Sequence, residues 1–310
     1  MRDVTAINKN NFSLPTSLLR QVAAQTMLSY RHAVPFPHAA FNWLWPRHLI
    51  EAVAAEVPED TDANGCIPTA SHCYLRPGTH FRKSELAHEH MGPYTMMLFD
   101  TLRSHPFRQF LEQLTGITGL AADPGFEGSG VHISGNAGIL KVHHDFNYLE
   151  CIQEPGDVLK LCGKAARLAA LRSRPANPLL RVRMHRRVNV FIYLNPDWPD
   201  SYGGHLELWA RNLSACQQRI RPSLGRFAVF SSNDFSFHGH PTPMQLPAGR
   251  ARRSIAFYYY TSHRPAEECE EGDCETFRNA VWKDPTCKGG CNAVISSGFS
   301  FSQKALVQKR

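Results

Sequence analysis

The sequence predicts a mainly β protein: a jelly-roll core, a helical region ahead of it and a helical insertion within it. Three observations carry this. From about residue 127 to 262, short β-branched and aromatic runs alternate with Gly, Pro, Asn and Asp clusters. That is the texture of a sandwich or barrel rather than of βαβ units. Residues 1 to about 120 instead carry helical periodicity between turn signals. Finally, the stretch from Gly156 to Arg172, rich in Ala, Leu and Lys/Arg, reads as a helix inside an insertion at 150–186. The chain so divides into a helical support region (1–126), the β core (127–265) and a Cys-containing extension (266–310).

Taken in order, Arg47–Glu56 fits a short amphipathic helix starting after Pro46 and ending near Pro58. A second helix fits Pro93–Leu102, and a third fits Pro106–Leu114, ended by Gly116. Predicted strands are Gly130–Ser134, Ile139–His143, Val188–Leu194, His205–Trp209, Arg226–Phe230 and Arg253–Tyr260. Within the insertion, Arg172, Arg174, Arg181, Arg183, Arg186 and Arg187 form a basic stretch. It reads as a solvated face, or as a lid selecting an acidic or phosphate-bearing substrate.

The composition narrows the function classes. With 310 residues and 43% hydrophobic content, the chain can bury a sizeable core. No apolar run approaches the ~20 residues of a membrane-spanning helix, and the start lacks the plan of a secretory signal, so a cytoplasmic protein is expected. The net charge of +7 is compatible with solubility alone, and nucleic acid is not an expected partner. Cys66, Cys73, Cys151, Cys162 and Cys216 are scattered and read as reduced thiols. Cys269, Cys274, Cys287 and Cys291, spaced C-x4-C and C-x3-C, are candidates for structural zinc. Sixteen histidines direct attention to metal binding.

The sharpest motif is Lys141-Val142-His143-His144-Asp145. On a strand, His143 and Asp145 project from one face and His144 from the other. One imidazole and one carboxylate on a shared face can bind a metal ion, and a second His from elsewhere completes a facial triad with open positions for ligands and dioxygen. Ser236-Phe237-His238-Gly239-His240-Pro241 supplies it. His238 is the preferred ligand and His240 its competitor. His132 and His205 read as ordinary strand residues. Downstream, Arg252 and Ser254 share a strand face, a guanidinium fork beside a hydroxyl that suits a carboxylate. Arg250 and Arg253 are the rivals of Arg252.

These elements, with Tyr193-Leu194-Asn195-Pro196-Asp197-Trp198 and Tyr202-Gly203-Gly204-His205-Leu206-Glu207-Leu208 between them, resemble the Fe(II)/2-oxoglutarate-dependent dioxygenases, in particular their prolyl 4-hydroxylase-like branch. The resemblance is strong from about 127 to 262 and visible back to Pro35-Phe36-Pro37-His38, which looks like the family's first strand. It implies a double-stranded β-helix with iron held by His143, Asp145 and His238. It also implies that Arg252 and Ser254 meet the distal carboxylate of 2-oxoglutarate, with Tyr193 at a position where some members place a helper Tyr. The family's other frequent Tyr falls on Ile133, so that contact is missing or replaced. The implied reaction consumes 2-oxoglutarate and O2, releases succinate and CO2, and hydroxylates an unactivated C–H bond. The carboxylate at 145, where related halogenases carry a small residue, favours hydroxylation.

Asn147, Asn189, Trp209 and Tyr258 are candidate substrate-pocket residues. The expected substrate is a small molecule such as an amino acid or biosynthetic intermediate, free or carrier-tethered. Prolyl or peptidyl hydroxylation and a non-catalytic sensing jelly roll are the alternatives. The sequence leaves the oligomeric state undetermined.

Overall fold

The computed structural model describes residues 12–75, 80–123, 126, 128–145, 148–154, 158–162, 180–269, 272, 274, 282–283 and 292–293. Four helices, α1 (Thr16–Arg31), α2 (Arg47–Glu56), α3 (Pro93–Arg103) and α4 (His105–Thr115), accompany an antiparallel sheet. Three of the helices match the predicted spans, and α1 adds a fourth. Ser104 caps α4, accepting a hydrogen bond from the Phe107 amide, and Gly116 ends it in the left-handed region at φ 81°. Phe107, Phe110, Leu111 and Leu114 repeat at helical spacing and are buried against the sheet. Burial of each contributes roughly 1.5–3 kcal/mol.

The strands are β1 (His38–Asn42), β2 (Ala70–Tyr74), β3 (His80–Leu86), β4 (Ala121–Ala122), β5 (Gly130–His143), β6 (Tyr148–Glu154), β7 (Val158–Cys162) and β8 (Leu180–Tyr193). They continue as β9 (Leu206–Trp209), β10 (Cys216–Ile220), β11 (Arg226–Ser231), β12 (His238–His240) and β13 (Arg252–Thr261), with the two-residue β14 (Trp282–Lys283) and β15 (Asn292–Ala293). Along the order β1-β11-β8-β13-β5-β12-β9-β10 the sheet curls into a nearly closed, jelly-roll-like barrel. The strand β3 extends the wall beside β5, and β6 beside β8.

Strand alternation assigns the two faces. Val131, Ile133, Val188, Val190, Ile192, Ile255, Phe257 and Tyr259 point outward into one core shared with the helices. Their neighbours Tyr193, Ala256, Tyr258, Leu206, Leu208, Ala228 and Phe230 line the interior. Charged groups follow the same rule. Arg253 lies on the outer face, where its guanidinium donates to the carbonyls of Ala54 and Val57 at the end of α2 (2.9 Å each) and of Leu194 (2.9 Å). Asn195 bonds the backbone of Arg253 and Pro222, which accounts for the Tyr193-to-Trp198 motif as a structural corner.

Two expectations are corrected. The insertion 150–186 is not helical where it is described: β7 pairs with β6 through Cys151↔Cys162 to Glu154↔Val158, and β8 already begins at Leu180. The strand Val158–Cys162 closes a hairpin onto β6, whose other edge pairs with β8. The most helix-prone part of that stretch lies in 163–179, outside the described residues. Nor are the scattered cysteines all reduced: Cys66 and Cys73 form a disulfide across a Cα–Cα distance of 5.9 Å, and Cys151 is disulfide-bonded. Among the described residues, Cys216 is the free thiol, and no helix is long and apolar enough to cross a membrane.

Arg253→Ala removes three hydrogen bonds to backbone carbonyls at the joint between helix and barrel, of which the Ala54 carbonyl keeps the Val57 amide. The expected result is a loss of about 3 kcal/mol, read as a lower urea midpoint at unchanged slope.

Candidate metal centre and anion clamp

The pairing of β5 with β12 builds the centre. His238 stands directly across from His143, and Asp145 follows two residues after His143. Gly239 makes this close approach feasible, because a Cβ there would meet the Leu140 and Lys141 carbonyl oxygens at 2.7 and 2.8 Å. The ligand-type atoms of His143, Asp145 and His238 all lie within 4.8 Å of one another. His143 Nε2 is 3.7 Å from Asp145 Oδ1, and His238 Nε2 is 3.4 Å from Oδ2. Each imidazole turns Nδ1 to a backbone carbonyl, Lys141 for His143 and Ser236 for His238, both at 2.9 Å. An Nδ1–H donated there leaves a lone pair on each Nε2 for a metal.

Burial, reinforced by His238, pushes the His143 imidazole down to about 3. Burial alone raises the Asp145 carboxyl, but Arg186 and the two imidazoles outweigh it and hold the group well below the usual carboxylate range. Two neutral-type nitrogens and an anionic oxygen are the donor set of a non-haem ferrous site, so the residues present fit iron. Asp145 is itself held. Asn189 Nδ2 donates to Oδ2 at 2.5 Å, and Asn189 is oriented by Ser232, whose hydroxyl donates to its Oδ1 at 3.2 Å. Arg186 Nη1 lies 3.2 Å from Oδ1.

Arg252 lies on the same inner wall, opposite Ser134 of β5. Its Nε donates to the Gly204 carbonyl at 2.7 Å, its Nη2 reaches the Tyr193 hydroxyl at 3.5 Å, and its Cζ sits 5.0 Å from the Tyr193 ring. Gly204, at φ 67°, permits this, since a Cβ would fall 2.9 Å from Arg252 Cδ. Ser254 is buried opposite Tyr193 and His132. No carboxylate among the described residues pairs with Arg252. A buried guanidinium without a counter-ion is costly, and an incoming carboxylate offsets that cost, so the pocket suits a carboxylate. The rivals are committed elsewhere: Arg250 bonds the Pro196 carbonyl at 2.6 Å and Glu59 at 2.9 Å, and Arg253 faces the helices.

The remaining sequence candidates separate. His240 is buried with Nδ1 unpartnered and lies off the triad, while His144 turns away and stacks edge-on against Phe237. Asn189 supports Asp145 rather than lining a pocket. Tyr258 lines the interior under Arg186. Trp209 is on the wrong face: it packs with Val142 and Phe237, because Val142 and His143 alternate. Asn147 lies outside the described residues. The zinc site is not formed as expected. Cys269 and Cys274 come within 5.3 Å at Cα and join as a disulfide, leaving no thiolate to donate, and Cys287 and Cys291 lie outside the described residues.

The structure also adds inward residues that sequence reasoning missed. Lys83 and Glu85 of β3 pair at 3.2 Å, with Lys83 opposite Ser134 and Glu85 opposite His132. Ile133 points outward, so His132 and Ser134 are the inner residues at the level of the absent family Tyr. The alternation of Phe81, Lys83 and Glu85 was a signal, but charges on an unrecognised strand read as surface.

The barrel thus carries two imidazoles and a carboxylate that could hold a metal ion, and a buried guanidinium on the same inner wall. Residues 129–260 match the sequence model of the 2OG-Fe(II) oxygenase superfamily. That match supports a dioxygenase. No curated protein matches the chain in sequence. Similar solved structures include a Pseudomonas putida prolyl-4-hydroxylase (15% identity, 77% of this chain and 98% of that one, TM-score 0.45). Another is a Trichoplax adhaerens prolyl hydroxylase in complex with a peptide fragment of the hypoxia inducible factor oxygen degradation domain (14%, 81% and 95%, TM-score 0.41). A third is HygX from Streptomyces hygroscopicus with nickel, 2-oxoglutarate and hygromycin B bound (11%, 72% and 82%, TM-score 0.38).

Asn189→Ala releases one restraint on Asp145. Titration of the apoprotein with Co(II) is expected to show affinity lowered about ten- to a hundredfold; unchanged affinity would separate Asn189 from the metal.

Proposed function

We propose that the protein is an Fe(II)- and 2-oxoglutarate-dependent hydroxylase of an unactivated C–H bond in a small molecule, such as an amino acid or biosynthetic intermediate. The observation that carries this is the conjunction of the His143–Asp145–His238 cluster with the unpaired, buried Arg252 on one inner wall. When bound, iron and 2-oxoglutarate supply the oxidising chemistry, with O2 consumed and succinate and CO2 released. The chain supplies everything else. His143, Asp145 and His238 hold the metal, and Arg252, Tyr193 and Ser254 orient the cosubstrate by its distal carboxylate. Asn189 and Arg186 fix the Asp145 carboxylate. Phe230, Leu206, Leu208 and Ala256 give the chamber apolar walls that keep water from the reacting groups. The burial of His143 and His238 supports a substrate slender enough to enter the barrel mouth.

The test is anaerobic. Purified protein given Fe(II) and 2-oxoglutarate under nitrogen is expected to develop a visible metal-to-ligand charge-transfer band, and admission of air should yield succinate, stimulated by a substrate. Asp145→Ala should raise the Fe(II) concentration needed to form the band by roughly tenfold or more, while Arg252→Ala should raise the 2-oxoglutarate concentration needed by roughly tenfold or more, the loss of a charge-assisted bond. Absence of the band in the wild-type protein overturns the reading. A band without succinate from any substrate indicates a sensor, and stimulation by prolyl peptides but not small molecules a peptidyl hydroxylase.

A further inference from the structure

The β3 wall of the chamber carries a charged pair that neither the metal centre nor the Arg252 clamp uses. Cross-strand register sets two polar rows on one face, because residues directly opposite each other share a side of the sheet. Lys83, Ser134 and Arg252 form one row across β3, β5 and β13. His72, Glu85, His132 and Ser254 form the next, which starts on β2. Exposure falls along this second row. His72 is exposed, the Glu85 side chain is 30% exposed and that of His132 11%, and Ser254 is buried. The row therefore leads from solvent into the chamber, with the Lys83–Glu85 pair at its threshold. Lys83 stands close enough to Asp145 and Arg252 for both to act on its charge.

The pair is only half satisfied. Lys83 Nζ donates to Glu85 Oε1 at 3.2 Å. An ammonium carries three N–H bonds, so two remain. The same Oε1 receives the Tyr74 hydroxyl at 3.4 Å and lies 3.9 Å from His132 Nε2, whereas Oε2 accepts from no described residue. Burial raises the Glu85 carboxyl, but Lys83 leads the groups that outweigh it and hold it below its ordinary range. Burial also lowers the Lys83 ammonium, and Glu85 opposes this only in part. A second anion beside Nζ would offset what remains. Two donors and one acceptor thus stand side by side where solvent meets chamber.

We propose that Lys83 and Glu85 are the recognition site for the primary substrate, a free α-amino acid whose carboxylate meets Lys83 and whose ammonium meets Glu85 Oε2. This rests on the hydroxylase reading above and narrows it. The pair is neutral as a unit and so is a zwitterion, so the four charges alternate and the Lys83–Glu85 bond survives binding. A residue inside a peptide chain carries neither charge, and a carrier-tethered acyl group lacks the carboxylate; neither fits.

Wild-type protein with Fe(II), 2-oxoglutarate and air is offered the common L-amino acids, each beside its N-acetyl derivative and its methyl ester. At least one free acid should stimulate succinate release, with kcat/KM roughly tenfold or more above either derivative, since each derivative loses one charge-assisted bond. Stimulation by no free acid, or equal stimulation by a derivative, overturns the proposal. Two variants assign the contacts. In Glu85→Gln the preference over the N-acetyl derivative should fall below about threefold while that over the ester persists, and Lys83→Met should show the reverse. Both preferences falling together in each variant, or neither falling, marks a merely structural pair and overturns the proposal. The derivative comparison needs no variant, so it decides the matter where a variant fails to fold. A wild-type protein that forms no charge-transfer band under nitrogen sinks the oxygenase reading itself, a result distinct from a band-forming protein that ignores amino acids.

Discussion

The pairing of β12 with β5 is the constraint on which the site depends. Three residues of β12 lie against the end of a long strand, and their register sets His238 opposite His143. A slip by one residue would turn His238 to the far side and bring Phe237 inward. Two features oppose such a slip. Gly239 alone is small enough to pass the carbonyls of Leu140 and Lys141, so it marks one position along β5. On the reverse face Val142, Phe237 and Trp209 form their own apolar cluster, which a slip would expose. The apolar contacts behind the strands therefore stabilise the polar arrangement in front of them.

The same logic explains what was legible in the sequence. His143-x-Asp145 and Arg252-x-Ser254 could be read because period-two alternation puts each pair on one face without any tertiary information. The preference for His238 over His240 rests on Gly239 and Pro241 as strand-ending residues, and that for Arg252 on its phase with Ser254; for the arginines the packing adds that Arg253 is needed at the end of α2 and Arg250 is tied to Glu59. Trp209 was misread because a large aromatic near a site looks like lining until the strand's phase is known. Lys83 and Glu85 escaped notice, and Arg186 was read only as one of a basic stretch, because a charged residue reads as surface in a sequence and only cross-strand neighbours can make it interior. The β6–β7 hairpin was obscured by helix-favouring composition farther along the insertion. Cysteine pairing depends on spatial proximity that spacing alone does not encode.

Around the metal centre the chain spends its polar groups in layers. Ser232 orients Asn189, Asn189 and Arg186 restrain Asp145, and backbone carbonyls fix both imidazoles. Each layer removes a rotation that an unliganded cluster would otherwise retain, so donor atoms are placed before any ion arrives. The opposite end of the chamber is simpler, with one guanidinium braced by a glycine carbonyl and a tyrosine ring.

Strand β13 serves two compartments at once. Arg252 and Ser254 look into the chamber while Arg253 and Ile255 look out at the helices. The stretch that matches the superfamily begins at 129 and so leaves out α1 to α4 and β3, although these cover the outward side of β13 and supply the Lys83–Glu85 wall. Chemistry and scaffold are thus not separable by cutting the chain at the edges of sequence similarity. An excised barrel would keep every ligand yet present a bare hydrophobic flank to solvent, so the working unit for engineering or transplantation begins at the first helix.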